Sequence, residues 1–133
     1  LQLPENIRVY SFLEKHEFLE VFQGAVAGIG SAGLYENGMQ EACVLKVREY
    51  LSAGLPVIVP YKDTAFLDQK PPEWLLELPN EPGSLAKEKE KIKEFVLRMK
   101  GRRVEASKVM PYVSSTRWES ERVKFFEKVL NIN

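Results

Sequence analysis

The chain has one cysteine, Cys43, among 133 residues. No internal disulfide and no multi-cysteine zinc cluster is available to it. That scarcity fits a reducing compartment, and a cytoplasmic location is the expectation. Histidine is equally scarce: His16 stands alone beside Glu14 and Glu17. It reads as a surface residue, because no spacing offers it a Ser-His-Asp or Cys-His partnership. No stretch approaches the roughly 18 apolar residues of a membrane span. Charge of one sign is also missing. The 19 basic and 19 acidic side chains balance to a net charge of zero. This argues against a broad nucleic-acid surface, yet it leaves room for one nucleotide in a cleft. Leu1-Gln2-Leu3-Pro4-Glu5 has no basic start ahead of an apolar core, so it does not read as a secretory signal. A first residue other than Met suggests a trimmed or fragmentary chain. Repeats, low-complexity tracts and linkers are absent, so residues 1–133 read as one domain.

What is present is an ordinary globular composition, 44% hydrophobic and 29% charged. The length suffices for one hydrophobic core. Ile7 to Phe12 alternates and is rich in β-formers, which predicts a strand. Phe18, Leu19 and Phe22 at helical spacing predict a helix over Glu14 to Gln23, with Gly24 placed to end it. The short run Ala25 to Ile29 predicts a buried parallel strand. After an irregular stretch, Gly30 to Gln40, a helix is expected over Glu41 to Ala53, closed by Gly54. Pro56 to Pro60 predicts another buried strand. Tyr61 to Glu73 reads as a loop, and Trp74 to Leu78 as a weaker fourth strand. Asn80-Glu81-Pro82-Gly83 is turn chemistry. Ser84 is expected to cap a long charged helix running to Met99, with Ile92, Phe95, Val96 and Met99 inward. Gly101 ends it, and Arg102-Arg103 reads as a solvated turn. Val104 to Ser114 gives no clear signal. Ser115 or Thr116 is expected to cap a last helix over 115–133 carrying Trp118, Val123, Phe125, Phe126, Val129 and Leu130. Alternating strands and helices predict an α/β fold, a Rossmann-like parallel sheet of about four strands flanked by helices.

Two clusters bear on chemistry. Gly28-Ile29-Gly30-Ser31-Ala32-Gly33 matches the G-x-G-x-x-G pattern after a predicted strand. A dinucleotide site needs the last glycine at the mouth of a helix. Here Tyr35-Glu36-Asn37-Gly38 intervenes, so small residues turning a strand end into a loop explain the cluster better. The second cluster is Glu41 to Val59. Glu41 and Glu49 lie eight apart. Within one helix that spacing gives an offset of about 80° and about 12 Å of rise. Glu41 would then flank the helix start, with Glu49 two turns deeper. Free N–H groups of Val44, Leu45 and Lys46 suit phosphates, while the carboxylates accept hydrogen bonds from sugar hydroxyls.

This segment resembles the E-x7-E element of retaining GT-B glycosyltransferases of the family 4 type. The resemblance continues through Glu49-Tyr50-Leu51-Ser52-Ala53-Gly54-Leu55-Pro56-Val57-Ile58 and covers about Ala25 to Tyr61 well, the flanks more loosely. It implies the C-terminal, donor-binding domain of such an enzyme, acting in polysaccharide or glycoconjugate synthesis. By position, Glu41 would contact the transferred sugar of a nucleotide diphosphate sugar and act as the catalytic residue. Glu49 would bind the ribose. Ala42, Cys43, Val44, Leu45 and Lys46 would line the sugar and diphosphate, and Leu13 would lie beside the base. No cofactor and no metal is implied; the partners are the nucleotide-sugar donor and an acceptor sugar or lipid-linked glycan. The last helix, with Trp118, resembles a segment that braces the partner domain. Many relatives carry glycines where Ala42, Cys43 and Val44 stand here. The family's strand-helix-strand unit with a basic Arg and Lys pair has no match, nor does its acceptor domain. The chain alone is therefore expected to be inactive, with peripheral membrane association a property of a longer protein.

Other residues have plainer readings. Cys43 is near a helix start, which lowers a thiol's pKa, yet it reads first as a packing residue. Asp63 and Asp68 make a poor metal site. Lys46 reads as a surface lysine or a phosphate contact. Open sheet edges invite pairing with another copy, so a compact remodelled sheet or a homodimer is expected. The competing functional reading is a non-catalytic nucleotide-binding or protein-interaction module of the same fold.

Overall fold

The computed structural model describes residues 4–67 and 69–130; Asp68 and the last three positions of the expected 115–133 helix lie outside them. Among the described residues, no helix is long and apolar enough to cross a membrane. The architecture is α/β. Helix α1 (Lys15–Gly24) leads into β1 (Gly28–Ile29), and a 3₁₀ turn (Leu34–Asn37) precedes β2 (Glu41–Ala42). Helix α2 (Leu45–Ser52) is followed by β3 (Val57–Val59), β4 (Lys62–Asp63), a second 3₁₀ turn (Thr64–Phe66) and β5 (Leu75–Glu77). Four helices close the chain: α3 (Ser84–Lys87), α4 (Lys89–Met99), α5 (Ala106–Val113) and α6 (Ser115–Leu130).

The sheet is smaller than expected. Three parallel strands stand in the order β1-β3-β5, and β2 pairs with β4 in a separate parallel ladder. The missing fourth strand is Ile7 to Phe12. These residues have strand-like alternation but no strand beside them, and Ile7, Val9, Tyr10 and Phe12 are exposed. β-propensity measures fit to a half-buried pleated surface; without a neighbour that fit has nothing to act on.

The core sits on both faces of β3, whose Val57, Ile58 and Val59 are fully buried. Val47 and Leu51 of α2 cover it together with Phe95, Met99 and Val109 of the later helices. This burial is the main stabilising term. The helix expected from Glu41 starts at Leu45 instead, because Glu41 and Ala42 pair with Lys62 and Asp63 and Val44 stays extended as the cap. The long charged helix also breaks, at Glu88 between α3 and α4. Gly83, at φ +73°, takes the cap position expected for Ser84, and Ser84 becomes the first helical residue. At the last helix, Ser115 is already helical, and the hydroxyl of Ser114 accepts from the Arg117 amide at 3.5 Å.

Two residues tie distant ends together. The Arg103 guanidinium donates to the carbonyls of Phe22, Gln23 and Ala25 at 3.2, 2.6 and 3.0 Å. Phe22 and Gln23 lie in the last turn of α1 and Ala25 is its C-cap, where no further helical turn follows; the Phe22 carbonyl also accepts from the Ala25 amide at 3.2 Å. Arg103 is thus a helix cap rather than part of a solvated turn. Its neighbour Val104 donates its amide to Gly54 O at 2.8 Å, just past α2. Gly54 has φ +72°, and a Cβ there would press on the Val104 carbonyl, so glycine suits both the backbone and the contact.

Candidate functional site

Of the residues singled out by sequence, Leu45, Lys46 and Glu49 lie on helix α2 and Val44 caps it, while Glu41 and Ala42 stand on β2. Helix α2 begins where Val44 leaves the extended region. Its first return bonds, from Val47 and Arg48, both end on the Val44 carbonyl. Among the described residues, no acceptor pairs with the amides of Leu45 and Lys46. Such amides at a helix start attract anions.

Residues on either side of Val44 line different hollows. Leu45 and Glu49 line a groove of 520 Å³ between α1 and α2, walled by Phe18, Leu19 and Phe22 and rimmed by Lys15. Cys43 lines a second hollow of 370 Å³ with Thr64, Trp118, Glu121 and Arg122. Glu41 is exposed on β2 and borders neither. Ala42 and Val44 turn partly into the core. Lys46 is half-buried, and Leu13 lies two residues before Lys15 at the groove's edge. Glu49 is therefore the candidate that stands in a concave surface together with part of the helix start.

A polar cluster that sequence reasoning missed adjoins the groove, whose lining includes its Arg48. Arg48 forms a salt bridge with Asp63, whose side chain is fully buried. The other guanidinium arm donates to Tyr112 O at 3.2 Å, and the group lies 5.6 Å from the Phe66 ring centre. Asp63 also accepts from the Ala65 amide at 3.1 Å. Nε of Arg48 has no partner among the described residues. Burial pushes the Asp63 carboxyl above its usual pKa, against the pull of Arg48 and of the Ala65 amide. The Tyr61 hydroxyl is raised further still, first by burial and then by the Asp63 charge. A signal was present: Val44, Val47, Arg48 and Leu51 fall on one stripe of the helix, so an arginine there faces inward and needs an acid. Asp63, weighed only as a loop acid, supplies it. The pair fixes α2 against β4 and, through Tyr112, against α5. Arg48 also lines the Glu49 groove itself.

The glycine cluster has a packing explanation. A Cβ at Gly28 would overlap the Tyr50 ring, and one at Gly30 would come within 3.0–3.3 Å of Tyr61. Tyr50 lies over the strand and meets Phe22 edge-on at 5.1 Å. Gly33, at φ +90°, precedes the 3₁₀ turn. That turn is held by Asn80, which accepts from Tyr35 N at 3.2 Å and donates to Met39 O at 2.7 Å. Gly28 and Gly30 make room for aromatic side chains and Gly33 caps the 3₁₀ turn; none of the three opens an α-helix. Comparison of the chain with protein-family models, with curated proteins and with solved structures finds no match.

Proposed function

We propose that this chain is the donor-binding part of a retaining glycosyltransferase, holding a nucleotide diphosphate sugar at the start of α2. One observation carries the reading. Glu49 shares a groove with Leu45, at the end of α2 where two amides have no protein acceptor among the described residues. A carboxylate accepts the paired hydroxyls of a ribose, and a helix start favours the adjoining diphosphate. Phe18 and Leu19 offer an apolar wall of the kind small-ligand pockets use. Amides aimed at the diphosphate would stabilise charge as the anomeric C–O bond breaks. Glu41 would meet the transferred sugar from β2, four residues ahead of the helix. In the full sheet of this reading, Ile7 to Phe12 supplies the fourth strand. Cytoplasmic location and an acceptor of sugar or lipid-linked glycan belong to the same proposal.

A second reading has its own support. Glu41 does not border the groove that Glu49 lines, which favours a module that binds a nucleotide, or a protein, without transfer chemistry. Thermal shift separates these readings when each nucleotide sugar is compared with its free nucleotide: a donor site prefers the sugar, a nucleotide-binding module responds equally to both, and a protein-interaction module to neither. A ligand that binds only the folded chain raises its melting temperature with concentration. At least one of UDP-, GDP- and ADP-sugars is expected to do so by a few degrees, and Glu49→Gln to abolish the shift. No shift with any of them at millimolar concentration rejects the donor reading.

A further inference from the structure

We propose that Ile7 to Phe12 is a strap that closes onto the free edge of β1 in its own chain, adding a fourth parallel strand and fixing the mouth of the Glu49 groove. In the structure the strap is open: Ile7, Val9, Tyr10 and Phe12 are 48–80% exposed. The edge that receives it is open as well. β1 is an end strand of the order β1-β3-β5. Its Gly28 amide and the following Gly30 amide donate across to Pro56 O and Ile58 O at 2.9 and 2.8 Å. In a parallel ladder the intervening residue turns its N–H and C=O the other way. Ile29 therefore presents both groups to the outer edge, where no strand of the described residues stands. Its side chain points away from the face where Tyr50 covers Gly28, and it is 45% exposed.

The helices determine which edge the strap takes. Tyr50 of α2 packs on Gly28, and Phe22 of α1 packs on Tyr50, so both helices lie on one face of the sheet. They also run in one direction. Arg103 holds the end of α1, while its neighbour Val104 holds Gly54 just past α2. At their other ends, Lys15 and Leu45 line one groove. β1, α2 and β3 form a strand-helix-strand crossover, and such crossovers keep a single hand. Repeating that hand with α1 on the same face puts the strand before α1 outside β1, on its free edge. The reach agrees. α1 feeds the amino end of β1, so it starts near the carboxyl end of the strands. Only Leu13 and Glu14 separate Phe12 from that start, an ordinary strand-to-helix turn.

Opposing terms keep the strap able to move. Alternation puts Ile7 and Val9 on one face and Tyr10 and Phe12 on the other, and burying them favours closure. Ordering six residues opposes it, and Arg8 and Ser11 interrupt the apolar run. Closure turns Leu13 and Glu14 into a fixed turn beside Lys15 on the groove's rim. The state of the strap thus sets the shape of that mouth, whatever ligand the groove takes.

The test is amide relaxation-dispersion and saturation-transfer NMR on the whole 133-residue chain. Ile7 to Phe12, Ala27 and Ile29 should share one exchange process, whose second state has strand-like shifts over Ile7 to Phe12. The double variant Val9→Pro with Tyr10→Pro removes a ladder donor whichever of the two faces β1. It should abolish the process at Ile29 and keep the native far-ultraviolet circular dichroism spectrum, since the strap lies outside the core. Val9→Asp keeps every backbone donor but fits a sheet poorly, and should lower the closed population several-fold. Coil shifts over Ile7 to Phe12 with no shared exchange overturn the proposal. Exchange at Ile29 that survives both prolines does the same. So does a closed population that grows with protein concentration, because the strap would then be closing on a second copy.

Discussion

Arg48 lies inside the fold because its position on α2 leaves no other place for it, and Asp63 makes that position tolerable. Removing one member of a buried pair strands the other charge, a loss of about 3–5 kcal/mol. Asp63→Ala should lower the unfolding free energy in urea by that order. The double change Arg48→Met with Asp63→Leu should cost clearly less, since two apolar side chains leave nothing uncompensated. Equal losses would mean that the pair is solvated in solution. The acid limb adds a signed test. Burial holds the folded-state Asp63 carboxyl above its usual value of 3.8. The folded chain therefore binds this proton more readily than the unfolded one. Its contribution is full below the unfolded pKa and is lost as pH rises through the folded one. Relative to Asp63→Asn, the native chain should lose stability across that window in urea titrations; a relative gain would show that the Arg48 attraction outweighs burial. At this scale the sequence was half legible. The inward place of Arg48 follows from helix periodicity, whereas its partner lies on a loop segment 15 residues on, fixed by tertiary packing alone. Gly28 and Gly30 were legible as turn-permitting. That Tyr50 and Tyr61 press against them is a contact that no local pattern encodes.

Among the elements, α1 depends on a residue far along the chain. Two of its end carbonyls and that of its C-cap Ala25 meet the one Arg103 guanidinium, 78–81 residues away. Arg103→Ala should destabilise the chain by about 1–3 kcal/mol, the range for losing charged hydrogen bonds. It should also raise hydrogen exchange in the second half of α1 before the rest. Unchanged exchange there would show that water replaces the guanidinium without loss. Strongly periodic elements were read well: β3, β5 and α6 lie within the stretches their patterns assign, α1 runs one residue past its stretch through Gly24, and β1 keeps only Gly28 and Ile29 of its run, with Ile29 exposed rather than buried. The failures are instructive. Ile7 to Phe12 alternates but finds no neighbour, and alternation alone does not make a strand. Val104 to Ser114 hides α5 because Pro111 stands inside the helix, where a proline ordinarily argues against one. The separation of Glu41 from α2 was illegible because it depends on β4, a two-residue strand within an apparent loop.

At the scale of the whole molecule, the candidate site is the product of a small parallel sheet and the helices on its faces. Glu49 was legible as part of a motif, whereas the start of α2, expected at Glu41, lies at Leu45. The groove beside them was not legible, because Lys15, Phe18 and Phe22 arrive through the packing of α1. The bond pair at Arg103 and Val104 bears on the molecule as a unit. One side chain grips the end of the first long helix, and the adjoining amide holds the turn after the second. A break in the backbone ahead of residue 103 would release both grips together. Residues 1–102 alone would therefore lack both the cap on α1 and the bond to the Gly54 carbonyl, and they are expected to be less stable than the same residues in the whole chain.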